Sequence, residues 1–216
     1  MKRHLSIAII LTLLNILSAF SQNESIETPE FNDNYCNTIE LLESGKTDID
    51  YKVFRESFLE SKQFEIALNK SNELRDLKKV MYDLMSEKQY DKIISITKKI
   101  LSIDYTNIRA HKILRQTYKI KGDSINAKKY KTIQFGLLKS IVNNGDGKSC
   151  ETAWQVIQIS EEYFILDMLD AKFEKQSIDY SGGICDKMEV LIDNKKKIYF
   201  FNIEKLLISK QNLNKN

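Results

Sequence analysis

Two hydrophobic rhythms divide the chain. Up to residue 144 the apolar positions recur every three or four residues, as in amphipathic helices, and after Gly147 they come in short, bounded runs with strand spacing. Tyr35, Ile39 and Leu42 mark one helical face that ends at Gly45, and Tyr51, Phe54 and Phe58 mark a second. Residues 63–72 carry no clear period. Leu77, Val80, Met81 and Leu84 mark a further amphipathic helix, with Tyr90, Ile93, Ile100 and Leu101 on its partner beyond the turn Glu87-Lys88-Gln89. A shift of 34 residues carries Leu84 onto Tyr118, Ile93 onto Ala127 and that turn onto Lys121-Gly122-Asp123, which is tetratricopeptide spacing. Tyr130, Ile133, Leu137 and Ile141 line the last helix, which stops at Asn143-Asn144-Gly145.

Beyond the glycines, Ala153 to Ile159 reads as a buried strand, and Ser160 as the cap of a helix packed through Tyr163, Ile165, Leu166 and Leu169. Residues 174–180 read as a strand. Met188, Val190 and Ile192 alternate with charged neighbours, Asp193-Asn194 makes a turn, and Ile198 to Ile203 returns as a hairpin partner before a short helix over 204–210. The fold class is therefore α+β, a tetratricopeptide-like helical array followed by a small mixed sheet unit with one or two helices. Two repeats cannot bury their own stripes, so residues 34–60 and the sheet unit serve as covers. The expected divisions are a signal peptide over 1–21, a flexible leader over 22–33, helical hairpins over 34–144, a capping unit over 145–210 and a tail over 211–216.

The signal-peptide reading rests on the basic start Met1-Lys2-Arg3-His4, the apolar run Leu5 to Leu17 and the small residues before Gln22. That run is too short to span a bilayer, so an exported, periplasmic or extracellular protein is expected. Cleavage would leave 31 bases against 30 acids. Basic and acidic residues alternate through both halves, so no phosphate-binding stripe and no nucleic-acid partner are expected, and Lys128-Lys129 reads as a solvated helix face. Cys36, Cys150 and Cys185 would all meet an oxidising compartment. Cys150 and Cys185 flank strands of one unit and are the pair expected to bridge, with Cys36 partly buried on an amino-terminal helix.

Candidate chemistry is sparse. Gly145 to Lys148 lacks the spacing of a phosphate loop, and its glycines instead suit a sharp reversal in which Asp146 bonds its own following amides. His111 is the one histidine beyond the leader, which rules out a two-histidine metal site within one chain. Glu161 and Glu162 sit about 100° apart on a helix and cannot converge on one glycosidic bond, so they read as compensation for the helix dipole. Trp154 reads as core. The interaction candidates are His111, Asp146, Lys148, Glu151, Glu161 and Glu162, with no catalytic, cofactor or metal residues assigned.

The segments Ala110-His111, Ser140-Ile141, Gly145 to Ser149, Glu151-Thr152-Ala153, Glu161-Glu162-Tyr163, Asp186 to Val190 and Tyr199 to Ile203 together resemble exported bacterial proteins grouped as domain of unknown function 4919. The resemblance spans roughly residues 34–208 and implies no catalytic residues. It departs at Cys150 and Cys185, where the similar sequences favour proline and tyrosine, so the proposed bridge would be peculiar to this member. A non-enzymatic protein- or peptide-binding module of the cell envelope is the expectation, without cofactor. The alternative is a periplasmic hydrolase-like enzyme with its site where helices meet sheet.

Overall fold

Short acidic and amide side chains open the helices. Asp33 accepts from the Cys36 amide, Asp50 from those of Lys52 and Val53, Asn107 from Ala110 and Asp123 from Asn126, each satisfying donors that a helix leaves free in its first turn. The computed structural model describes residues 26–213. Its helical part comprises α1 (Asn34–Glu43), α2 (Tyr51–Glu60), α3 (Lys62–Asn69), α4 (Ser71–Ser86), α5 (Tyr90–Ile103), α6 (Ile108–Ile120) and α7 (Ser124–Val142). The untyped stretch over 63–72 is thus the helix α3 and the start of α4. The expected signal peptide lies outside the described residues. The leader read as flexible is laid down from Ile26 onward, because that side chain is buried in the core and Phe31 packs beneath Lys62.

The hairpins α4–α5 and α6–α7 repeat in detail. At the first turn the Gln89 amide donates to Leu84 O at 3.0 Å, and at the second the Asp123 amide donates to Tyr118 O at 2.9 Å, 34 positions on in both donor and acceptor. The left-handed residue of each turn is displaced by the same step, from Lys88 at φ 57° to Gly122 at φ 79°. Packing is less regular. Ile93, Ile100, Ile113 and Leu114 are buried between the hairpins, whereas α4 buries Met81 and leaves Val80 and Tyr82 exposed.

The carboxy-terminal part contains β1 (Trp154–Gln155), α8 (Ile159–Met168), β2 (Lys172–Asp179), β3 (Cys185–Ile192), β4 (Lys195–Asn202) and α9 (Glu204–Leu213). The sheet order is β1-β4-β3-β2, with β1 parallel to β4 and the other pairs antiparallel. Asp193 and Asn194, both left-handed, make the β3–β4 turn, as twisted hairpins favour. Met188, Val190 and Phe201 bury one side of the sheet.

Three expectations are corrected here. The strand over Ala153–Ile159 shrinks to Trp154–Gln155, because side chains claim backbone groups at and after its end: Gln155 O accepts from Arg55 at 3.1 Å and the Ile157 amide donates to Glu161 at 2.8 Å. The helix α8 begins at Ile159 after an extended Gln158, one residue before the expected cap at Ser160. The last helix runs on through Leu213, into the expected tail.

The two parts meet along α7, where Tyr130, Ile133, Leu137 and Ile141 are all buried. This helix packs on α2 and β1, α6 packs on α8, and α9 reaches α2. Among the described residues no helix is long and apolar enough to cross a membrane.

Candidate functional site

Burying a charge is costly unless a partner and hydrogen bonds accompany it. The junction follows this rule closely on one side. Arg55 of α2 donates through Nε to Glu161 Oε1 at 3.0 Å and through Nη2 to Oε2 at 2.7 Å, a bidentate pair with both side chains about 3% exposed. Its remaining donors reach Gln155 O at 3.1 Å and the Ser140 hydroxyl at 3.4 Å. One guanidinium therefore ties together α2, α7, β1 and α8.

Glu162, the next residue, has a different fate. It is fully buried beside Asp186 of β3, and neither of its oxygens has a hydrogen-bond donor among the described residues. Burial first, and the Asp186 charge second, push its carboxyl up to about 9. At neutral pH Glu162 thus holds its proton, which it can share with Asp186. Both glutamates stand in the first turn of α8, as dipole compensation expects, but the structure adds that both are enclosed, Glu161 by an arginine and Glu162 beside a carboxylate.

A second polar knot lies below. Asp104 accepts from the Thr106 amide at 3.0 Å, the Thr106 hydroxyl at 2.6 Å and Gln158 Nε2 at 3.1 Å, linking the α5–α6 connection to the entry of α8. Burial still raises its carboxyl above the ordinary range. His111 is completely buried between the Tyr105 and Tyr130 rings, and its Nε2 lies 2.7 Å from Tyr105 O. Burial lowers its imidazole to about 4, so the ring is neutral and Nε2–H is the donor. Glu43 accepts from the Tyr105 hydroxyl and from Lys129 at 2.8 Å close by. Burial pushes the Cys36 thiol up to about 11.

The glycine loop is an exposed structural clasp. Asp146 accepts from the Thr152 hydroxyl at 2.6 Å and the Lys148 amide at 3.1 Å, and chiefly the Thr152 bond lowers its carboxyl to about 2. Lys148 pairs with Asp146 at 3.2 Å, and Glu151 lies against Gly182. Gly147 sits at φ 68° with Trp154 so near that a Cβ would lie 2.8 Å from its ring. The bridge Cys150–Cys185 is formed, with Cα atoms 5.8 Å apart, and fastens this loop to β3. The candidates are thus not brought to one point: His111 is in the helical core, Glu161 and Glu162 are in the junction, and Asp146, Lys148 and Glu151 are on the clasp.

The surface holds what the candidate residues do not. Three adjoining depressions of about 640, 700 and 600 Å³ run across the helices. The first lies between the α4–α5 turn and α6, the second between α6 and α7, the third between α7 and residues 47–51. Gln116 and Lys119 are common to the first two, and Lys128 and Lys131 to the last two, so the three lie side by side as an interrupted trough divided by α6 and α7 side chains. At its far end Gly136 lets the Tyr51 ring approach α7 to a distance that no Cβ would permit.

Residues 105–144, which build most of the trough, contain nine lysines and arginines against Asp123 alone. The expected even alternation of charge is corrected by this stretch. Its signal lay in a local count, which balance over whole halves of the chain conceals.

A family model described as Domain of unknown function (DUF4919) matches residues 27–212. No curated protein and no solved structure matches the chain.

Proposed function

The chain belongs to the Domain of unknown function (DUF4919) family, and from its geometry we propose that it is a non-enzymatic binding module of the cell envelope that holds a protein or peptide along its helical hairpins. The observation that carries this reading is the open trough over α4–α7, whose length suits a polypeptide better than a small molecule. Glu162 and His111, the carboxyl and imidazole that burial displaces from ordinary titration, line none of it. An oxidised Cys150–Cys185 pair accords with life outside the cytosol.

Site-specific photo-crosslinking in intact cells tests the proposal. A crosslinking side chain in place of Ile120, exposed in the trough, is expected to yield discrete adducts, and one in place of Ile208, exposed on α9, none. Equal labelling from both sites, or none from Ile120, would remove the reading.

A further inference from the structure

Resting on that reading, we infer that the trough takes a carboxylate-rich stretch of polypeptide, gripped by Arg115, Lys119, Lys128, Lys131 and Lys139 above an apolar floor. Of the nine cations over 105–144, three pair with carboxylates: Arg109 with Asp167, Lys121 with Asp91 and Lys129 with Glu43. Lys112 leans on the Phe164 ring. The other five have no carboxylate partner among the described residues, Arg115 lying over the Phe135 ring, and all five line the second or third depression. Asp48 is the one acid on those two linings. Like charges crowded without counter-charge repel one another, so an anionic occupant gains by relieving them.

The spacing sets the form of that occupant. Lys128, Lys131, Phe135 and Lys139 follow one another on successive turns of one face of α7, and Arg115 and Lys119 do the same on α6. From Lys128 to Lys139 is roughly 16 Å along the helix, the reach of about five extended residues. Ala127 lies between the α6 and α7 cations, and Phe135 with Ile49 and Tyr51 across the third depression supplies the apolar floor on the far side of the α7 lysines. An extended peptide sends alternate side chains to opposite sides, so carboxylates can meet the rims while apolar groups meet the floor. A flat anionic membrane would touch the rims alone, and a duplex would present only phosphates to Tyr51 and Phe135.

Fluorescence anisotropy of a labelled peptide alternating glutamate and leucine tests this on the purified protein. Saturable, salt-sensitive binding is expected. The variant Lys119→Glu/Lys128→Glu/Lys131→Glu should weaken it by about tenfold or more, with circular dichroism unchanged. The control Lys195→Glu/Lys196→Glu, at the β3–β4 turn, should leave it intact. Equal affinity for a glutamine–leucine peptide, indifference to the triple reversal, or preferential binding of oligothymidylate or phosphatidylglycerol vesicles would overturn the inference. An Ile120 crosslink that survives the triple reversal would sink the carboxylate assignment and spare the binding reading. Loss of every Ile120 crosslink in the parent protein would sink both.

Discussion

Charge is concentrated in two regions of this molecule and handled in opposite ways. At the junction of α2, α8 and the sheet, Arg55 and Glu161 are matched bond for bond and shut away from water. Over α6 and α7, Lys119, Lys128, Lys131 and Lys139 stand exposed with no carboxylate partner among the described residues. A buried ion recovers its desolvation cost only through a complete partner set, so the junction serves to hold elements in register. An exposed unmatched ion costs little and keeps its field for something that arrives. The contrast separates what the fold uses from what it leaves available.

The largest expected effect breaks the matched side. Arg55→Met leaves Glu161 buried without its cation and should cost about 3–5 kcal/mol in urea denaturation. Arg55→Met/Glu161→Leu should recover much of that loss, and a double variant no more stable than the single one would show that the pair does more than neutralise itself.

Glu162 sharpens the contrast within the junction. Its folded carboxyl sits at about 9 against an ordinary 4.5, so the unfolded state releases the proton first as pH rises. The stability this supplies is complete below the unfolded value and is lost as pH climbs through the folded one. Stability should therefore fall by on the order of 1 kcal/mol per pH unit between about pH 5 and 9. Glu162→Gln keeps a donor toward Asp186 and should flatten that slope. A parent protein equally stable at both ends of the range would remove the argument. On the exposed side, Lys119→Glu/Lys128→Glu/Lys131→Glu should change stability by less than about 0.5 kcal/mol in the same assay, because those side chains hold nothing in place.

Periodicity made the architecture readable. The 34-residue step reappears in the hydrogen bonds of two turns, and alternation over Met188 and Val190 located the central strand. The pairing of Cys150 with Cys185 followed from both cysteines flanking strands of one unit. The junction was harder, because rules for local segments treat glutamates at a helix start as solvated. Two signals were nonetheless present. Arg55 interrupts the stripe of Tyr51, Phe54 and Phe58, and Asp186 shares the inward parity of Met188 and Val190. A charge in an apolar register asks for a distant partner, and the partner's identity depends on tertiary contacts between residues 106 positions apart. The brevity of β1 has the same origin, since backbone groups at and after its end are claimed by Arg55 and Glu161.

The chain has a single tryptophan, and the fold sets it at the seam. Trp154 stacks on Tyr199 with ring centres 5.3 Å apart and donates its indole N–H to Gly145 O at 3.0 Å. Its emission is thus a built-in optical gauge of whether sheet and helices are docked. Because Trp154 lines none of the trough, that glow should stay constant while a ligand titrates onto α6 and α7 and shift once the clasp opens.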